Sequence, residues 1–115
     1  MGEIIVKEHE KYTSVRLIGS FSYDVEGELK HKLNEVIEQS VTKKIVIDLF
    51  ETQYLITLTY NALIHLHNKL AQSNGKLVLR NPNQHIMNAI SIMKLDTVIP
   101  VTFSISDSKI ALGIE

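Results

Sequence analysis

The sequence predicts an α/β domain: a mixed, mostly parallel sheet of about five strands flanked by helices, in the order ββαβαβαβα. Three observations carry this. Short apolar runs recur at Ile4-Ile5-Val6, Ile45-Val46-Ile47 and Leu77-Val78-Leu79, each about the length of a buried strand. Between them apolar residues return at helical spacing, as at Leu58, Ala62, Leu63, Leu66 and Leu70. After an opening pair of strands, strand and helix alternate, which makes each later strand pair parallel with a right-handed crossover.

The elements follow in order. Glu3 to Lys7 is a short strand, His9-Glu10-Lys11 a polar turn, and Tyr12 to Gly19 an alternating strand that pairs back as a hairpin and ends at Gly19-Ser20. Asp24 is placed to cap a helix running to about Gln39, with Val25, Leu29, Leu33, Val36 and Ile37 on its inner face. The central strand Ile45-Val46-Ile47 closes on Asp48-Leu49. About eight residues of mixed character follow, and a second helix begins near Thr57 or Thr59, where a threonine hydroxyl suits the N-cap. Ser73-Asn74-Gly75 stops that helix, with Gly75 suited to the left-handed position. Lys76 to Arg80 is a further strand, and Pro82 fits the first position of a third helix carrying Ile86, Ala89, Ile90 and Met93. Val101 to Ile105 reads as the last strand, and Ser106 or Asp107 caps a final helix to Gly113.

Composition narrows the function. The 115 residues suit one domain, spanning 1–115. Twelve basic and 13 acidic residues give a net charge of -1, which offers no electrostatic reason to expect nucleic acid. The absence of cysteine removes disulfides and thiolate chemistry. The opening Met1-Gly2-Glu3 leads directly into a short apolar run, with no secretory signal pattern, and no apolar stretch reaches the length of a membrane span. The expectation is a cytoplasmic domain without membrane insertion.

Chemistry-bearing constellations are sparse. His65 and His67 lie two apart on a helix and point in opposing directions, while His9, His31 and His85 fall on other elements, so no metal site is expected. No Gly-x-Ser-x-Gly elbow and no phosphate-cradling glycine loop occurs, and neither an enzyme nor a cofactor is expected. Asp48 ends a buried strand on the sheet edge where the second helix starts. It reads first as a hydrogen-bonded loop organiser, with a part in a site as the alternative. The remaining signal is apolar. Tyr54, Leu55, Ile56, Leu58 and Tyr60 crowd the start of the second helix, more than one helical face can hide. Either the loop folds back into the core or some of them form an exposed patch for a protein partner.

Taken in order, these segments resemble the STAS domain family, shared by sulfate transporters and anti-sigma factor antagonists. Val15-Arg16-Leu17-Ile18-Gly19 resembles the family's second strand with its closing glycine, and Ile45-Val46-Ile47-Asp48-Leu49 its signature strand ending in Asp-Leu. Gly75-Lys76-Leu77-Val78-Leu79, Pro82 and the helix from Ile86 to Leu95 also fall where the family places them. In the bacterial antagonists an Asp-Ser-Ser-Gly-Leu type motif opens the next helix, and counting nine residues from Asp48 lands on Thr57. Here Ile56 replaces the motif aspartate, Leu58 the second serine and Thr59 the glycine.

The resemblance implies a non-enzymatic signalling and transcription regulator in bacteria. It would bind an anti-sigma factor or related kinase, and phosphate on Thr57 would switch partners. The implied binding surface covers residues 54–61: Tyr54, Leu55, Ile56, Leu58, Thr59, Tyr60 and Asn61. Two other readings stay open. One is an unphosphorylated adaptor subunit of a transport or signalling complex. The other is a small-molecule binder with Asp48 and Thr57 in its site. A homodimer is also left open.

Overall fold

The strand that organises the sheet is β2, Thr13–Phe21, because three other strands pair with it. The computed structural model describes residues 2–114, apart from the side chains of residues 23–26. Strand β1, Gly2–Glu8, runs antiparallel to β2 as a hairpin. On the other side of β2 lies β3, Lys44–Asp48, then β5, Lys76–Arg80, then the two-residue β6, Val101–Thr102, all parallel. The sheet order is β1-β2-β3-β5-β6. Ile45, Val46, Ile47, Leu77, Val78 and Leu79 are all buried in the adjacent strands β3 and β5, as the apolar runs predict.

The stretch of mixed character after Asp48 holds a further strand that the sequence pattern does not predict, β4, Thr52–Leu55. It pairs with the far end of β2, through Gly19, Ser20 and Phe21, beyond the point where β3 stops pairing. Strand β2 therefore does not end at Gly19-Ser20. Gly19 takes φ 95°, and the register shifts between Gly19 and Ser20, so the strand bends there and continues.

Alternation along the strands sends two sets of side chains to opposite faces. Val15, Leu17, Ile45, Ile47, Leu77 and Leu79 enter the main core with helices α1, Tyr23–Gln39, α2, Thr57–Ala71, and α3, Gln84–Ile92. Leu29, Leu33, Val36 and Ile37 supply α1, and Leu63, Leu66 and Leu70 supply α2. Val46 and Val78 point the other way and meet Leu112 of α4, Ile105–Leu112. Each of these fully buried aliphatic side chains contributes about 2 kcal/mol relative to exposure.

Several helix ends differ from the sequence expectations, each for a local reason. The backbone of α1 begins at Tyr23 with Ser22 at the cap position; the side chains of Asp24 and Val25 lie outside the described residues. After α2 the left-handed residue is Asn74, φ 57°, not Gly75. Gly75 serves close approach instead, since a Cβ there would collide with the carbonyl oxygen of Lys43. Pro82 precedes α3 rather than opening it. The cap is Asn83, whose side chain accepts from the Ile86 amide at 2.8 Å. Ser104, not Ser106 or Asp107, caps α4 by accepting from the Asp107 amide at 3.0 Å, which shortens the last strand to two residues.

A candidate partner-binding surface at the strand ends

The carboxyl ends of β3 and β4 and the first turn of α2 meet on one edge of the sheet. Asp48 closes β3 there. Its Oδ2 accepts from Arg80 of β5 at 2.9 Å, and its Oδ1 accepts from the backbone N–H of Phe50 at 3.0 Å. Both side chains are largely buried. With an ion pair on one oxygen and a turn on the other, Asp48 has the geometry of the loop organiser.

The turn that Asp48 holds projects Phe50 into solvent, 72% exposed. Glu51 then pairs back to Arg16, and its carbonyl accepts from the Gly19 amide at 2.9 Å. The chain enters β4, where Thr52 and Leu55 turn inward and Gln53 and Tyr54 outward. Tyr54 is 43% exposed and stacks on His85 of α3, with ring centroids 6.2 Å apart. Asn83 donates to the Thr52 carbonyl at 3.1 Å, tying the α3 cap to β4.

Helix α2 starts with Ile56 at its cap, without a side-chain cap bond. Thr57 is therefore the first helical residue and not the N-cap. It is exposed. The crowded apolar residues divide between core and solvent. Leu55 enters the core opposite Phe21, and Ile56, 7% exposed, follows with its amide directed at the Phe21 carbonyl. Thr59 and Tyr60 are buried too, so Leu55, Ile56, Thr59 and Tyr60 are corrected from surface to interior. Burial raises the Tyr60 phenol above its ordinary value, with a smaller contribution from Tyr54. Leu58 is turned outward, 43% exposed, although it fits the apolar spacing. The inward stripe runs through Thr59, Leu63, Leu66 and Leu70, and one residue back from Thr59 is a 100° rotation out of it. Tyr54, Thr57, Leu58 and Asn61 thus remain on the surface, joined by Phe50 and His85. Phe50 directly follows the Asp48-Leu49 pair, and an aromatic residue in a turn is a signal the sequence carries; nothing in the sequence ties His85 to Tyr54.

On the α4 side a cavity of about 250 Å³ is walled by Lys7, His9, Tyr12, Arg16, Asp48 and Arg80, among others. Asp48 lines it, and Thr57 lies outside its wall. Burial lowers the His9 imidazole from its ordinary value, and the charges of Lys7 and Lys109 lower it further. Among the described residues, no three histidine or carboxylate side chains converge as a metal site would require, and no helix is long and apolar enough to cross a membrane.

The family model for the STAS domain matches residues 3–108. The chain belongs to the STAS domain family. Solved STAS structures agree in fold. An anti-sigma factor antagonist from Mycobacterium paratuberculosis superposes with a TM-score of 0.82 at 22% identity, covering 98% of this chain and 95% of that one. The anti-sigma factor antagonist SpoIIAA in its unphosphorylated form gives 0.81 at 13% identity, covering 98% and 99%. The phosphorylated form of Bacillus SpoIIAA gives 0.71 at 12% identity, covering 92% and 96%. No curated protein sequence matches the chain.

Proposed function

We propose that this STAS protein is a non-enzymatic regulator of the anti-sigma factor antagonist type, acting in the bacterial cytoplasm. It binds a protein partner, an anti-sigma factor or related kinase, through Tyr54, Thr57, Leu58 and Asn61, with Phe50 at the rim. The observation that carries this reading is the outward turn of Leu58 and Tyr54 beside an exposed Thr57 on the first turn of α2. Apolar side chains held at a helix start by a rigid sheet edge make a preformed contact surface.

Phosphate on Thr57 is the switch this surface would accommodate. It adds about -1.5 to -2 charges. At a helix N-terminus that charge is stabilised by roughly 0.3–1 kcal/mol, so the domain would stay folded. The same charge next to Leu58 would be costly to cover with a partner. SpoIIAA, a structural neighbour, exists in phosphorylated and unphosphorylated forms, which supports the reading without transferring it.

One observation favours a second version, a constitutive adaptor in a transport or signalling complex. Ile56 occupies the place of the motif aspartate and is buried, and no acidic residue lies in the first turn of α2. The test compares proteins captured from the native cells by wild type, Leu58→Asp and, as a control on exposed Ile110 of α4, Ile110→Asp. Mass spectrometry of Thr57 accompanies it. A partner lost only in Leu58→Asp, with phosphate on Thr57, is the expected outcome. Equal capture by all three overturns the surface. An unmodified Thr57 leaves the adaptor version.

A further inference from the structure

Strand β1 is the outer strand of the sheet on the hairpin side, and its free edge has a definite pattern. In the β1–β2 hairpin, the His9 amide bonds the Tyr12 carbonyl at 2.8 Å, and the register continues through Lys7 opposite Ser14, Ile5 opposite Arg16 and Glu3 opposite Ile18. In an antiparallel ladder, hydrogen-bonded and non-hydrogen-bonded pairs alternate. The odd residues Glu3, Ile5 and Lys7 therefore direct their backbone groups at β2. The even residues Gly2, Ile4, Val6 and Glu8 direct theirs at the open edge.

We infer that β1 pairs antiparallel with β1 of a second copy, about a two-fold axis through Ile5, to give one continuous sheet across a homodimer. In this register Gly2 faces Glu8 of the second copy and Ile4 faces Val6. All four are edge-directed residues, so their N–H and C=O groups meet and form about eight backbone hydrogen bonds. Glu3 faces Lys7, and Ile5 faces Ile5, at the closely spaced positions where side chains interact most. Opposite charges thus meet twice, on either side of an apolar pair. Ile4 and Val6 form two more apolar pairs, related by the two-fold axis, on the other face of the sheet.

The sequence selects this register over its neighbours. A shift of one residue would set odd positions against even ones and misalign the backbone groups. A shift of two in either direction sets Ile5 against Lys7 or against Glu3 and leaves no opposite charges facing. Glu3 and Lys7 would also serve simply to keep an edge strand monomeric, which is how charged edge residues commonly act. The measurements below separate the two roles.

Sedimentation equilibrium across a wide concentration range should show a monomer–dimer equilibrium. Glu3→Lys and Lys7→Glu should each place like charges opposite one another twice and weaken the dimer by about tenfold or more. The double exchange, Glu3→Lys with Lys7→Glu, should restore it. Val6→Pro removes an edge-directed N–H and no bond to β2, so it should abolish the dimer while leaving the melting temperature of the monomer nearly unchanged. Amide exchange at Ile4, Val6 and Glu8 should slow as concentration rises, while Ile5 and Lys7 are protected throughout. A protein that stays monomeric at every concentration overturns the inference. So does a dimer that Val6→Pro leaves intact, or one that the double exchange fails to restore.

Discussion

Asp48 and Arg80 occupy paired positions on the parallel strands β3 and β5, and their side chains close an ion pair of 2.9 Å at the sheet edge. The same carboxylate holds the Phe50 amide, so one residue ties the strand ends and shapes the turn beside the candidate surface. Asp48→Ala would leave the guanidinium mostly buried and unpaired and would release the turn. The expected loss is about 2 kcal/mol, since the pair is not fully dry. In a domain of this size that lowers Tm by roughly 8 °C. Asp48→Asn keeps an acceptor for the Phe50 amide and should cost less. Thermal denaturation of both variants checks this; an Asp48→Ala protein as stable as wild type would remove Asp48 from the role of organiser.

The division of the α2 start into core and surface predicts opposite outcomes for two neighbouring residues. Ile56 is buried, so Ile56→Asp should destabilise by about 3 kcal/mol or more, because a carboxylate would be desolvated without a partner. Leu58 is half out in solvent, so Leu58→Asp should change stability by no more than about 0.5 kcal/mol. An acidic side chain there also faces the positive end of the helix. Partner capture should fail for Leu58→Asp while its melting curve stays that of wild type. A large drop in Tm for Leu58→Asp would place Leu58 in the core and remove it from the surface.

What was legible in the sequence follows from which forces act locally. Strands β3 and β5 announce themselves because both faces of each are covered, and that demands unbroken apolar runs. Strand β4 has no such mark. Its burial pattern, in-out-out-in over Thr52 to Leu55, is neither a run nor an alternation, and it forms because the far end of β2 lacks a neighbour. Residue preference marks a cap only where a side chain accepts from the backbone, yet α2 is capped by Ile56, which makes no side-chain bond and so leaves no signature. Crowding at the start of α2 was visible as a list of apolar residues. Which of them turn outward depends on the rotation of the helix against the sheet, and the short stretch before its first turn does not encode that. The Tyr54–His85 stack joins residues from two separate elements and has no sequence trace.

His9 should report on the hairpin through pH. Its imidazole stacks on Tyr12 at 4.3 Å, and its Nε2 lies 3.1 Å from the Ser14 hydroxyl. Burial and then the charges of Lys7 and Lys109 disfavour the imidazolium, so the folded value lies below the ordinary 6.5. Above 6.5 the folded and unfolded states are both neutral at His9, and its contribution to stability is complete. As pH falls below 6.5 the unfolded chain takes up the proton first. The contribution is lost as pH drops through the folded value. An NMR titration of the His9 ring should give a midpoint below 6.5, and Lys7→Ala should raise it. Burial persists in that variant, so the return should be partial. A wild-type midpoint at or above 6.5 would contradict the arrangement of charges around the ring.

Thr57 separates a role in folding from a role in switching. Were it the N-cap, Thr57→Ala would cost about 1 kcal/mol. The cap position belongs to Ile56, and Thr57 is an exposed first helical residue. Alanine is the better helix former, so Thr57→Ala should leave stability within about 0.5 kcal/mol of wild type. Thr57→Glu should also fold normally, because its carboxylate meets the unpaired N–H groups of the first turn. Any functional difference between the two variants would then arise from charge on the surface and not from unfolding. If the switch operates, Thr57→Glu should lose the partner that wild type captures, Thr57→Ala should keep it permanently, and their Tm values should coincide. Loss of the partner in both variants, with Tm unchanged, would assign Thr57 a direct contact instead of a switch. Retention in both would leave Leu58 and Tyr54 to hold the partner without regulation at this helix.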